Sequence, residues 1–112
     1  MSLIGDMKEE DRIWKALGDA TRRALLDSLA AGPRTTGDLV AQHPDLGRTT
    51  VMKHLGVLEA AGLVVVRREG RQRWNYLNPV PIERVCGKWI HQQVRHLSRS
   101  VNRLREIASE EA

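Results

Sequence analysis

A stripe of apolar residues at helical spacing, bracketed by two glycines, constrains this chain more than any other feature. Between Gly47 and Gly62, the positions Val51, Leu55, Leu58 and Gly62 recur at the i, i+4, i+7, i+11 spacing of one helix face. The opposite face carries Thr49, Lys53, Gly56 and Val57, with Arg48 and Met52 along one edge and Thr50 along the other. Leu46 and Val51 stand at the spacing of a hydrophobic staple across a Gly47 N-cap, and Gly62 lies where a glycine stops a helix. The spacing predicts a helix that buries one side and presents a short, polar, basic side near its N-terminus. That outward surface suits insertion into a groove, although an ordinary amphipathic helix with a solvated basic face has the same pattern.

The elements before this helix follow from caps and periodicity. Residues 1–7 read as a loose terminus. From Lys8 to Leu17, Ile13, Trp14 and Leu17 predict a short amphipathic helix ending at Gly18. Asp19 is a suitable N-cap for a second helix carrying Leu25, Leu26 and Leu29, which Gly32-Pro33 closes. Thr35 and Asp38 have capping-box spacing and open a third helix through Leu39, Val40 and His43, and Pro44 to Gly47 make a tight turn. Two short helices joined by a turn, the second polar outside, form the helix-turn-helix plan.

After Gly62 the period becomes extended. Leu63 to Val66 predict a strand, Gly70 a turn and Trp74 to Leu77 a returning strand. Near the tip, Arg67, Arg68, Arg71 and Arg73 face one carboxylate, Glu69. Beside a helix-turn-helix, such a hairpin reads as a wing that grips phosphate or enters the minor groove. Standing alone it would read as a solvated hairpin whose arginines guard against edge pairing.

Asn78 to Pro81 punctuates the chain, and a final helix is expected to run to about Glu110. Along it Ile90, Val94, Leu97, Val101, Leu104 and Ala108 step by 4, 3, 4, 3 and 4 residues, a 3.5-residue seam. A helix of ~30 residues would be about 45 Å long, more than a domain of this size covers. Pairing with a second copy of itself is the economical solution, and packing within the chain is the alternative. Ile13 and Trp14 are expected beside that seam. The expected division is 8–78 for the winged helix-turn-helix and 79–110 for the dimerisation helix, within one compact domain. The fold class is mainly α with a small β-hairpin.

Composition narrows the function. Net charge is +4, and fourteen of the eighteen basic residues are arginine, the side chain whose planar fork matches phosphate and guanine. The single cysteine, Cys86, excludes an intramolecular disulfide and a thiolate-cluster metal site, which fits a cytoplasmic location. No apolar run approaches the ~20 residues of a membrane span, and no secretory leader is evident. No Ser/His/Asp set, glycine-rich phosphate loop or carboxylate pair assembles from these motifs, so an enzyme is not expected.

Several motifs in order carry a family resemblance. Ile13-Trp14-Lys15-Ala16-Leu17-Gly18-Asp19-Ala20-Thr21-Arg22-Arg23 resembles the opening of the ArsR-like winged helix-turn-helix repressors. Leu46 to Leu55 and Leu58 to Val64 resemble their recognition helix and following strand, Arg67 to Arg71 their wing, and Leu77-Asn78-Pro79 the exit into their dimerisation helix. The resemblance implies a homodimer that binds an imperfect palindrome in double-stranded DNA, usually as a repressor. Metal-sensing members carry a cysteine pair before the recognition helix, where this chain has Thr35-Thr36-Gly37-Asp38-Leu39-Val40. Others bind zinc on the terminal helix, but His91 and His96 are about 500° apart around a helix. A metal-independent regulator without a cofactor is therefore expected.

By resemblance and by face, Arg48, Thr49, Thr50 and Lys53 are the major-groove candidates. Thr35 and Thr36 suit a phosphate at a helix N-terminus, and His54 suits the core or the orientation of a phosphate. Arg67, Arg68, Arg71 and Arg73 are the wing candidates. Ile13, Trp14, Trp89, Ile90, Val94, Leu97, Val101 and Leu104 are the expected dimer contacts. Cys86 reads as an inert buried thiol. Against the regulator stands a winged helix turned into a protein-interaction adaptor through its long seam. A neutral recognition face and wing would mark the adaptor, and these are basic.

Overall fold

Short-range side-chain chemistry sets most of the helix boundaries in the computed structural model, which describes residues 8–111. Residues 1–7, expected to be a loose terminus, lie outside the described residues. The first helix, α1 (Glu9–Leu17), has Glu9, Glu10 and Asp11 in its first turn, where acidic groups complement the helix dipole. Asp19 caps α2 (Ala20–Ala30), its carboxylate accepting the Arg22 backbone N–H at 3.1 Å. Thr35 and Asp38 form a reciprocal capping box at the start of α3 (Thr36–Gln42), with bonds of 3.0 and 3.1 Å.

The central helix is α4 (Arg48–Ala60), with Gly47 as N-cap. Its end is a Schellman motif: Gly62 N–H donates to the Glu59 carbonyl at 3.0 Å and Leu63 N–H to the Leu58 carbonyl at 2.9 Å. Gly62 adopts φ +78°, a left-handed conformation that costs glycine little. Leu63 therefore belongs to the helix stop, and β2 (Val64–Glu69) follows at once.

Strand β3 (Gln72–Leu77) pairs with β2 from Val64↔Leu77 to Glu69↔Gln72. Only Gly70 and Arg71 remain in the connection. Gly70 has φ +62°, and among the described residues no non-glycine residue has positive φ, the pattern of a type II′ hairpin turn. The wing is longer than the expected strands because Arg67, Arg68 and Arg73 are themselves in the ladder. A third strand, β1 (Arg34–Thr35), pairs with β3 at Arg34↔Asn75 and Thr35↔Trp74, giving the antiparallel order β1-β3-β2. Two residues carry no detectable alternation, so this strand had no local signal.

The core gathers one face of each helix. Val51, Leu55 and Leu58 of α4 are fully buried with Leu25 of α2, Leu39 of α3 and Leu63, and Ala16, Leu26, Leu29, Ala61 and Val64 complete the cluster. Each fully buried large aliphatic side chain contributes about 1.5–3 kcal/mol relative to exposure. Asn75 is buried on β3, donating to the Arg34 carbonyl at 3.3 Å and to Thr36 Oγ1 at 3.2 Å.

The chain groups into two compact units that divide after Ile82, where the sequence reading expects one domain with its boundary at Asn78. The single terminal helix expected after Pro81 is instead a short turn, α5 (Val80–Ile82), in the first unit, and a π-helical turn (Glu83–Gly87) followed by α6 (Lys88–Glu111) in the second. A π turn shifts the helical phase without a sequence signature, and the apolar seam begins only beyond it. On α6 no residue is buried, and Ile90, Val94, Leu97, Val101, Leu104 and Ile107 are each 44–65% exposed. Among the described residues no helix is long and apolar enough to cross a membrane.

The Asp19 cap gives a pH-dependent expectation. The Arg22 backbone N–H, followed by the charge of the Arg22 guanidinium, holds the Asp19 carboxyl below its ordinary value. A depressed folded-state pKa stabilises the protein above the unfolded value of ~3.9 and loses that contribution as pH falls through the folded value. Asp19→Asn retains a capping oxygen without the charge. Urea melts at pH 7 and pH 3 should show the wild type's advantage over this variant shrinking in acid; a constant gap would refute the assignment.

Candidate nucleic-acid interface

Burial of Val51, Leu55 and Leu58 fixes which residues α4 turns outward. Arg48, Thr49, Thr50, Lys53, Gly56 and Val57 are exposed, and Met52 is half-buried. The first turn contains no acidic residue, and Gly47 offers no capping side chain. The helix-dipole end and the Arg48 guanidinium therefore act together as an anion-attracting surface.

The wing completes this surface. Between it and the starts of α3 and α4 lies a cleft of about 330 Å³, walled by Arg48, Arg68, Arg71 and Arg73 with Gly37 and Met52. No carboxylate lines it. Arg48 and Met52 are one helical turn apart, so both reach the same wall. Successive side chains on a strand alternate, which sends Arg68 to the cleft and Arg67 to the other face. Arg67, Arg68 and Arg71 are exposed, as are Thr49, Thr50 and Lys53 on the neighbouring helix face.

Three expected site residues have other work. Thr36, expected to meet a phosphate, is only 4% exposed, and its hydroxyl accepts the Asn75 amide. Thr35 uses its hydroxyl and its N–H within the capping box. Arg73, one of the expected DNA-binding residues of the wing, donates through Nη2 to Glu59 Oε2 at 2.8 Å and is only 19% exposed in its side chain. For Thr36 and Arg73 the engaging partner comes from another element, whereas Thr35 is engaged by the capping box of its own helix.

His54 lies half-buried beside Arg22, with 3.4 Å between His54 Nδ1 and Arg22 Nη1. Arginine only donates, so a hydrogen bond here has His54 Nδ1 as its acceptor. Arg22 also donates through Nε to the Ala16 carbonyl at 2.8 Å and through Nη2 to the Lys15 carbonyl at 2.9 Å. Arg23 donates to the Leu17 carbonyl at 2.6 Å. Two adjacent arginines thus satisfy the last carbonyls of α1, and one of them continues to the recognition helix. Sequence reading missed the contacts that engage Arg22 and Glu59. Arg22 lies within the Ile13–Arg23 motif, whereas Glu59 has no local signal.

Among the expected dimer contacts, Ile13 is fully buried and has no surface to offer a partner. Trp14, Trp89, Ile90, Val94, Leu97, Val101 and Leu104 are exposed. Ile107 extends the same apolar face of α6. Cys86 is half-buried, and burial pushes its thiol pKa up, away from the reactive thiolate. Among the described residues no group of three or more His, Cys, Asp or Glu side chains converges as a metal site.

Comparison with known proteins places this geometry in a family. A helix-turn-helix domain family matches residues 17–67. The transcriptional regulator Rv2034 of Mycobacterium tuberculosis is 43% identical over 72 residues, 64% of this chain and 66% of that protein, so the chain spans just under two thirds of this relative. The HTH-type regulator YuzN of Bacillus subtilis is 38% identical over 72% of this chain and 95% of its own length. The transcriptional repressor SdpR of Bacillus subtilis is 32% identical over 65% of this chain and 80% of its own. Among solved structures, an ArsR family transcriptional regulator superposes with a TM-score of 0.73 at 31% identity, covering 81% of this chain and 98% of that one. The homodimeric winged helix-turn-helix DNA-binding domain of Mb0332 from Mycobacterium bovis superposes with a TM-score of 0.62 at 27% identity, covering 81% and 83%. This chain belongs to the ArsR family of winged helix-turn-helix transcriptional regulators.

Proposed function

We propose that this chain acts as a homodimeric, metal-independent repressor that binds a palindromic operator in the cytoplasm. The carrying observation is the arginine-walled cleft between the start of α4 and the wing, which contains no carboxylate. In this reading α4 enters the major groove. Arg48 bonds guanine or an adjacent phosphate, Thr49 and Thr50 meet phosphate or a thymine methyl, and Lys53 adds backbone attraction. Arg67, Arg68 and Arg71 hold flanking phosphates from the wing, while His54 orients α4 through Arg22. Names of relatives support the regulatory part: SdpR is a transcriptional repressor, and the Mb0332 domain is homodimeric.

The exposed seam of α6 supports pairing. Its large aliphatic residues lie along one stripe, and a second copy would cover the same stripe on both partners at once. Two recognition helices related by a twofold axis would meet two half-sites about one helical turn of DNA apart. Metal independence rests on the five-residue spacing of His91 and His96 and on the thiol-free start of α3.

Fluorescence anisotropy with the gene's upstream DNA and a scrambled control, across a salt series, tests the reading. Specific binding at least ~10³ tighter than to the control is expected. Equal, steeply salt-dependent binding to both DNAs would reduce the protein to a nonspecific cation, and no binding at low salt would favour a protein-interaction adaptor. Arg48→Ala should cost about 1–3 kcal/mol and relax preference at one base position, whereas Arg71→Ala should weaken all sequences alike and lower the salt slope by ~1. Binding curves unchanged by both substitutions would reject the groove assignment.

Leu97→Glu places a charge in the centre of the seam at a position already exposed in the single chain. Sedimentation equilibrium should then report a monomer with intact helical content, and operator affinity should collapse. A variant that remains dimeric would move the interface elsewhere. Excess EDTA or added zinc should leave both melting temperature and operator affinity unchanged; a zinc-dependent rise in either would overturn metal independence.

A further inference from the structure

We infer that the Glu59–Arg73 ion pair is a strut that sets the angle of the wing against the recognition helix, so that a carboxylate beside the DNA-binding surface strengthens DNA binding by positioning. This deepens the operator-binding reading above and rests on it. Arg73 belongs to β3 and Glu59 to the last turn of α4, and the pair spans the two elements at 2.8 Å. Arg73 lines the arginine-walled cleft yet keeps most of its side chain out of water. Its Nε is buried without a hydrogen-bond acceptor among the described residues, so Glu59 holds the guanidinium.

Alternation places Arg73 and Asn75 on the same face of β3. Asn75 ties that face to the Arg34 carbonyl and to Thr36, on the side of β1 and α3. Arg73 ties it to α4. Two polar anchors directed at different elements restrain the rotation of a two-stranded ribbon, whereas one anchor leaves a pivot. Beyond them, residues 67–72 are all exposed and have no burial to orient them. The angle at which Arg68 and Arg71 reach the DNA is therefore decided at residue 73. Without the carboxylate, the guanidinium leaves its seat for the cleft and the hairpin turns about Asn75.

Electrostatics alone and the strut make opposite predictions. Neutralising Glu59 removes an anion near DNA and frees a cation, which should tighten binding if charge were all that mattered. The strut predicts that Glu59→Gln weakens operator affinity by roughly threefold or more. Its melting temperature should be nearly unchanged, because an ion pair with one half-exposed partner contributes little to global stability. Arg71→Ala should then cost less in the Glu59→Gln background than in the wild type, since the wing is already misplaced. The reversed pair, Glu59→Arg with Arg73→Glu, keeps net charge constant and should recover part of the lost affinity. Tighter binding by Glu59→Gln, or additive effects with Arg71→Ala, would overturn the strut.

A measurement without DNA separates this failure from failure of the operator reading. Spin labels at Glu69 on the wing and Ala60 on α4, both exposed, report the angle as a distance distribution. Glu59→Gln should broaden or shift that distribution relative to the wild type, and an unchanged distribution overturns the strut whatever the DNA result. A broadened distribution in a protein whose wild type shows no operator preference would keep the strut as a structural tie and reject its role in DNA binding.

Discussion

Complete burial of Val51, Leu55 and Leu58 fixes the rotation of α4 about its axis, and the rest of the molecule's outward chemistry follows from that phase. Successive residues of a helix are 100° apart, so even a one-residue slip would bring charged or polar groups into the core and lift leucines out of it. Arg48, Thr49, Thr50 and Lys53 are thus presented because their neighbours cannot be. The helix is also fixed in length. Its Schellman stop consumes the carbonyls of Leu58 and Glu59, buries Leu63, and hands the chain to β2 without a flexible connection. The root of the wing is therefore set by the same hydrophobic stripe that orients the recognition surface.

Arginine chemistry divides into inward and outward roles. Arg22 and Arg23 spend their forked donors on the final carbonyls of α1, a helix end whose acceptors would otherwise need water. Arg22 continues to His54, so the turn between α1 and α2 is tied to the side of α4. Arg73 is held by Glu59. Arg48, Arg68 and Arg71 remain on the cleft wall. A net charge of +4 does not reveal this division. What matters is which guanidinium groups already have acceptors in the fold, because only the others are available to an external anion.

The same distinction explains what was legible in the sequence. Asp19, the Thr35–Asp38 box, Gly47, Gly62 and Gly70 act within about three residues of themselves, so their spacing carried their roles. The apolar stripe of α4 was legible because periodicity repeats it. The internal engagement of Thr36 and Arg73 has no sequence signal, because their partners, Asn75 and Glu59, come from other elements brought close only by the sheet. Ile13 was misread as an interface residue because an apolar side chain suits a core and an interface equally well. Strand β1 and the π turn at Glu83–Gly87 left no trace, the first because two residues have no period and the second because it alters phase rather than composition.

The proposed pairing of α6 changes the weight of the wing's geometry. A palindromic operator would be read by two wings related by an exact rotation, so an angular error in one wing is repeated in the other. A misplacement too small to matter at a single half-site then acts twice on one binding free energy. The apolar seam of α6 supplies association but carries no information about wing angle, since it lies on a separate helix with no buried residue of its own. That angle must be stored within the first unit, where the recognition helix and the hairpin share a core. Its polar anchors, Asn75 toward α3 and Arg73 toward α4, are the contacts placed to store it. On the proposed reading, affinity and geometry fall to different parts of the chain: arginine charge and the α6 seam would supply binding, and two internal contacts on β3 would supply direction.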